Sequence, residues 1–91
     1  MRLKYNLKIS EVNGQYIAVA IGEDSHRHKD ITFVNKVGKF ILESLLQDIK
    51  RTDIIKNVIN HFEGDRDIIK IEVNKFIDKL IELELIDSES L

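Results

Sequence analysis

The chain contains no cysteine, no proline and no tryptophan, and no apolar run approaches the roughly 20 residues of a membrane span. Without cysteine there is no disulfide framework, no thiolate nucleophile and no cysteine-ligated zinc or iron–sulfur centre. The polar start Met1-Arg2-Leu3-Lys4 lacks the apolar core of a secretory signal, so the expected location is the cytoplasm. Neither sign of charge dominates: 14 Lys and Arg against 16 Asp and Glu leave a net charge of −2. That balance suits a protein that does not depend on gripping phosphate backbones. Glycine is sparse, and Gly14, Gly22, Gly38 and Gly64 are too scattered to build a phosphate-cradling loop. No serine sits in a nucleophile elbow. A small domain that binds something, without a cofactor, is favoured over an enzyme.

What is present suffices for one fold. Ninety-one residues, 43% hydrophobic and 33% charged, describe a single domain over 1–91 with a modest core. A chain of this length buries only about 60–65% of its unfolded surface, which leaves little room for a deep active site.

From Leu3 to Val12 the apolar residues Leu3, Tyr5, Leu7 and Ile9 fall at every second position, the period of a half-buried strand. Asn13-Gly14 is the strongest short hairpin signal, because both residues tolerate positive φ. Gln15 to Ile21 returns as the second strand. Gly22 to Asp30 is polar throughout and reads as a loop. Ile31-Thr32-Phe33-Val34 is a short third strand of β-branched and aromatic residues, and Asn35 is suited to cap a helix. Helical spacing then predicts a first helix from Lys36 to about Gln47, and a second from Asp53 to about Phe62 capped by Thr52. Glu63-Gly64-Asp65 is a turn, with Gly64 suited to close the second helix and Asp65 to cap the third. The third helix runs from Arg66 to about Glu84, and the tail 87–91 is expected to fray. The order βββααα, with no internal repeat, predicts an α+β, winged-helix-like domain. In it a three-stranded antiparallel sheet is followed by three helices packed on its apolar face.

Three kinds of site can be weighed. His26 and His28, with Glu23, Asp24 or Asp30 nearby, have a spacing that can hold a metal, but solvated loop histidines show the same pattern, and no metal site is assigned. His61, at the end of the second helix, is placed to meet its last carbonyls. A winged-helix DNA-binding regulator is the runner-up. Lys56, Asn57, Asn60, Arg66, Lys70, Asn74, Lys75 and Lys79 are interleaved with Asp53, Glu63, Asp65, Asp67, Glu72, Asp78, Glu82 and Glu84, and such a mixture marks a solvated face rather than a phosphate grip. The third site is a strand edge. Ile31 to Val34 carries no charge and no proline, the usual guards of an open edge, so it can accept an extended peptide as a further strand. An edge short enough to be harmless, or one covered by the polar loop, is the competing reading, and the two stand level.

One likeness bears on this. Val34-Asn35-x-x-Gly38-x-x-Ile41-x-x-x-Leu45 resembles the Leu-Asn-x-x-Gly-x-x-Ile signature of the pyrroloquinoline quinone synthesis protein D (PqqD) family. Glu72-Val73-x-x-Phe76-Ile77-x-x-Leu80, followed by Leu85-Ile86, is similar to its closing motif. The likeness covers residues 3–87, with Val34 in place of the usual leucine and Glu84 where glycine is common. It implies a non-catalytic recognition element for ribosomally made, modified peptides. In that family a precursor's leader binds as an added strand on the third strand, beside the third helix. Carried over by position, the strand side is Ile31, Thr32, Phe33 and Val34, and the helix side is Glu72, Lys75, Phe76, Lys79 and Leu80. Phe76 and Leu80 also fit the apolar stripe, and Lys75 and Lys79, four apart, are placed for acidic leader side chains. The implied partners are the precursor leader and a modifying enzyme, often a radical-SAM enzyme in such pathways. No nucleic acid or membrane is implied, and the same edge is open to a second copy of the chain.

Overall fold

The computed structural model describes residues 1–21, 31–33 and 35–91. It is an α+β fold: an antiparallel hairpin of β1 (Leu7–Val12) and β2 (Gln15–Ala20), then β3 (Ile31–Phe33) and three helices, α1 (Lys36–Ser44), α2 (Arg51–His61) and α3 (Arg66–Glu82). The sheet order is β1-β2-β3. The polar stretch 22–30, with His26 and His28, lies outside the described residues, as does Val34.

The hairpin turns where the Asn-Gly pair predicts. Asn13 (φ 53°) and Gly14 (φ 79°) both take positive φ, which makes Val12 and Gln15 the closing pair. The first strand is shorter than its alternation predicts. β1 begins at Leu7, and residues 1–4 pair elsewhere. Leu3 bridges Ile86, the Lys4 N–H donates to Leu85 O at 2.8 Å and the Asp87 N–H to Arg2 O at 2.9 Å. The physical reason is that β2 is exhausted at this point, since the Ile21 N–H already reaches Asn6 O at 2.9 Å. The residues before Asn6 take the C-terminal segment as their partner and keep the same face buried. The tail is bonded back to the same residues. Asp87 pairs with Arg2 at 3.0 Å and caps the short 3-10 turn Ser88–Ser90, and the Arg2 N–H donates to Ser90 Oγ at 3.0 Å. The Glu89 N–H, then the Arg2 guanidinium, hold the Asp87 carboxyl below the usual carboxylate range.

Helix boundaries differ from the periodicity in instructive ways. α1 stops at Ser44 because the Leu45 N–H is shared between Ile41 O and Leu42 O, a tightening typical of last turns. α2 starts at Arg51, so Thr52 lies inside it. Lys50, in extended conformation and without a side-chain cap, accepts from both Asp53 N–H and Ile54 N–H at 3.0 Å. Arg51 then reaches α3, donating to Asp78 Oδ1 at 2.8 Å and Asn74 Oδ1 at 3.2 Å. At the other end of α2 the C-cap is Phe62. Gly64 (φ 145°) therefore serves the turn beyond the cap. Asp65 caps α3 as its side chain predicts, accepting from the N–H groups of Asp67 and Ile68.

The core is the seam where the three helices meet the sheet: Tyr16, Ala18, Ile41, Leu42, Leu45, Ile54, Val58, Val73, Ile77, Leu80, Leu85 and Ile86. α3 ends in a Schellman motif. The Leu85 N–H reaches Leu80 O and the Glu84 N–H reaches Ile81 O, both at 3.0 Å, and the buried Leu80 and Leu85 supply the apolar contact that accompanies it. The position that must turn left-handed is Glu84, at φ 59°, where a side chain is disfavoured. Glu84→Gly is expected to raise stability by about 0.5–1 kcal/mol, read as a higher urea midpoint at unchanged m-value.

Candidate functional site: a strand edge and a groove

Two features meet at the corner between β3 and α1. The first is the edge. The Ile21-to-Asn6 bond and the two-residue turn assign the bonded pairs of the hairpin to Gln15, Ile17 and Val19 on β2, because bonded and non-bonded pairs alternate along an antiparallel ladder. Tyr16 and Ala18 therefore direct their N–H and C=O groups at β3, opposite Phe33 and Ile31. Thr32, opposite Ile17, directs its own N–H and C=O the other way. Among the described residues no strand lies beyond β3, so those two groups face the open edge.

The second feature is a groove of about 390 Å3 between α1 and α3. It starts at Asn35, two residues past Phe33. Asn35 is extended (φ −135°) and its side chain accepts from the Gly38 N–H at 2.7 Å. The Asn-x-x-Gly spacing is thus the distance from a cap to the third helical residue. Val37, Gly38 and Ile41 form the α1 wall, and Ile68, Ile69, Glu72, Lys75 and Phe76 form the α3 wall. The lining is aliphatic and aromatic, with one carboxylate and one ammonium at the rim. Ile68 stands 60% exposed at its mouth, an apolar side chain with no intramolecular reason to be there.

Of the residues singled out on α3, the groove gathers Glu72, Lys75 and Phe76. Leu80 is 2% exposed and belongs to the core. Lys79 does not line the groove, and its ammonium sits 3.7 Å from Glu82. The strand residues Ile31, Thr32 and Phe33 lie on the edge as described. Sequence reasoning missed the α1 wall and Ile68. Ile68 and the 54%-exposed Ile71 fall off the apolar stripe of α3, and that misfit was the available signal. His61 stands in the last turn of α2 as expected, and its ring stacks on Phe40 at 4.7 Å. Among the described residues no cluster of His, Asp and Glu could hold a metal, and no helix is long and apolar enough to cross a membrane.

The family model for coenzyme PQQ synthesis protein D matches residues 25–86. The chain belongs to the PqqD family. No curated protein matches it. Two solved structures are similar in fold. TbiB1 in complex with the TbiA(beta) leader peptide has a TM-score of 0.69 at 14% identity, covering 97% of this chain and 96% of that one. A lasso peptide synthetase B1 complexed with the leader peptide has a TM-score of 0.59 at 15% identity, covering 89% of each. At such identity the likeness is one of backbone. The PqqD motif residues Asn35 and Gly38 have a structural task visible here, since they form the cap that opens the groove. Asn35→Ala is expected to cost about 1 kcal/mol of stability, measured by urea unfolding.

Proposed function

We propose that the chain is a non-catalytic peptide carrier. It captures the leader of a ribosomally made precursor peptide as an added strand on β3 and presents the attached segment to a modifying enzyme. Family membership and the two leader-peptide complexes of similar fold support this reading. The observation that carries it is the outward N–H and C=O of Thr32 beside a groove that opens at Asn35. With β3 added to the hairpin, the architecture is the winged-helix-like βββααα arrangement of a recognition element. The whole of 1–91 acts as one unit, since its first residues are hydrogen-bonded to its last. Holding the leader raises the local concentration of the attached segment at the enzyme, so no catalytic group is needed. The resemblance points to a radical-SAM enzyme as that partner.

Magnitudes divide the labour between edge and groove. A micromolar complex corresponds to about −8 kcal/mol. The two hydrogen bonds at Thr32 contribute about 0.5–1.5 kcal/mol each, whereas each large apolar side chain buried contributes about 1.5–3 kcal/mol. On this account the edge sets direction and register, and the groove supplies most of the affinity. The guest strand places alternate side chains against Val37, Ile68 and Phe76, with the buried Ile41 as the floor behind them and Glu72 and Lys75 at the rim. A second copy of the chain is the competing occupant of the edge. The interleaved charges of α2 and α3 weigh against duplex DNA.

The test is a titration with the leader peptide encoded beside the chain's gene, followed by amide NMR. Amides of Ile31–Phe33 and of 68–76 are expected to shift. Thr32→Pro, which removes an N–H that β2 does not use, is expected to weaken binding about tenfold. Ile68→Glu is expected to weaken it more than tenfold. Both should leave stability within about 0.5 kcal/mol. Unchanged affinity in both variants would overturn strand addition at this corner.

A further inference from the structure

α1 has a second concave surface on its other side. At 100° per residue, Val37, Gly38 and Ile41 look into the groove, while Lys36, Lys39, Phe40 and Glu43 lie on roughly the opposite side of the helix. There they line a separate cavity of about 420 Å3, closed by Tyr16 of β2 and by His61 and Phe62 at the end of α2. Its wall is a cluster of rings. The His61 imidazole stacks on Phe40 at 4.7 Å, and Phe62 meets both rings edge-on at 5.5 and 4.9 Å. Its rim is basic. The Lys39 ammonium lies 5.9 Å from the Tyr16 ring centre and 3.7 Å from Glu43, so the one carboxylate of the rim already has a cation beside it. In a chain of net charge −2 this is a local reversal of sign. Lys36 also stands in the first turn of α1, which contains no acidic residue. A cation there opposes the helix dipole, so the fold does not gain from it.

We propose that this cavity is a second docking site, which takes an acidic segment bearing an aromatic anchor from the modifying enzyme. This rests on the carrier reading above. Aromatic walls with an apolar face and polar edge suit a ring as the anchor. With Lys39 held beside Glu43, the Lys36 ammonium leaves the rim with a net positive charge that selects a carboxylate beside that ring and rejects basic segments. Because the two cavities lie on opposite sides of α1, guest and enzyme can be held at once.

The experiment titrates the full-length chain with the synthetic peptide Glu-Asp-Trp-Asp-Glu, blocked at both ends, and reads amide shifts. The controls are Lys-Lys-Trp-Lys-Lys and inorganic phosphate. The acidic peptide is expected to shift amides of Lys36, Lys39, Phe40, His61 and Phe62 and to leave 68–76 in place. Its affinity should fall on adding salt and drop about tenfold in the double variant Lys36→Glu, Lys39→Gln. That variant places an acid where the helix dipole favours one and frees Glu43 to repel the peptide; an unchanged urea midpoint separates its loss of binding from a loss of fold. The proposal is overturned if the acidic peptide leaves these amides unmoved, if the basic peptide binds as well, or if phosphate alone reproduces the shifts. Titrating the same sample with the leader peptide reads the groove separately, so failure of the carrier reading shows up as silent amides at 68–76 and not at the ring cluster.

Discussion

The two-residue turn at Asn13-Gly14 sets the parity of the whole sheet. With both residues at positive φ, Val12 and Gln15 become a bonded pair, and every second residue of β2 is thereby assigned to β1. The residues between, Tyr16 and Ala18, are left to hold β3. What remains for the outside is the middle residue of β3. A one-residue change in that turn would exchange the assignments, turning Thr32 inward and presenting Ile31 and Phe33 instead. The hydrogen-bonding capacity of the edge is thus decided about nineteen residues before it appears.

The corner after β3 sets a groove beside that edge. Asn35 stops the strand and starts α1 in one step, its side chain taking the Gly38 N–H, so the groove begins where the ladder ends. α1 then acts as a partition. Its buried stripe, Ile41 and Leu42, locks it to the core, one flank faces the aliphatic wall of α3, and the other faces the rings of His61 and Phe62. The far end of the molecule keeps this arrangement taut. Residues 1–4 are bonded both to the end of α1 and to the strand-like segment after α3, through Leu3 N–H to Leu45 O and Lys4 N–H to Leu85 O.

Much of this was legible in the sequence because it is local. The hairpin follows from a dipeptide, the α1 cap from Asn35, the α3 cap from Asp65, and the three helices from their apolar spacing. The departures are all matters of long-range pairing. Alternation from Leu3 onward could not say that its first residues pair with Ile86 instead of β2, since both partners bury the same face. Thr52 looked like a cap because a capping side chain is a local sign, whereas Arg51 is held in the helix by Asp78, 27 residues away. The same holds for the groove. Glu72, Lys75 and Phe76, named from the family likeness, line it, but the α1 wall depends on how two helices lie together. Glu84 is the reverse case. Glycine is common there in the family, and this chain takes the left-handed turn with a side chain in place.

Amide hydrogen exchange of the free protein and of its complex with the leader peptide tests the central claim most directly. In the free protein the Ile31 and Phe33 amides, bonded to β2, should be protected and the Thr32 amide between them should exchange freely. On saturation with the leader peptide, Thr32 alone of the three should become newly protected. A Thr32 amide already protected without peptide, or one still exchanging freely in its presence, would contradict strand addition at this edge.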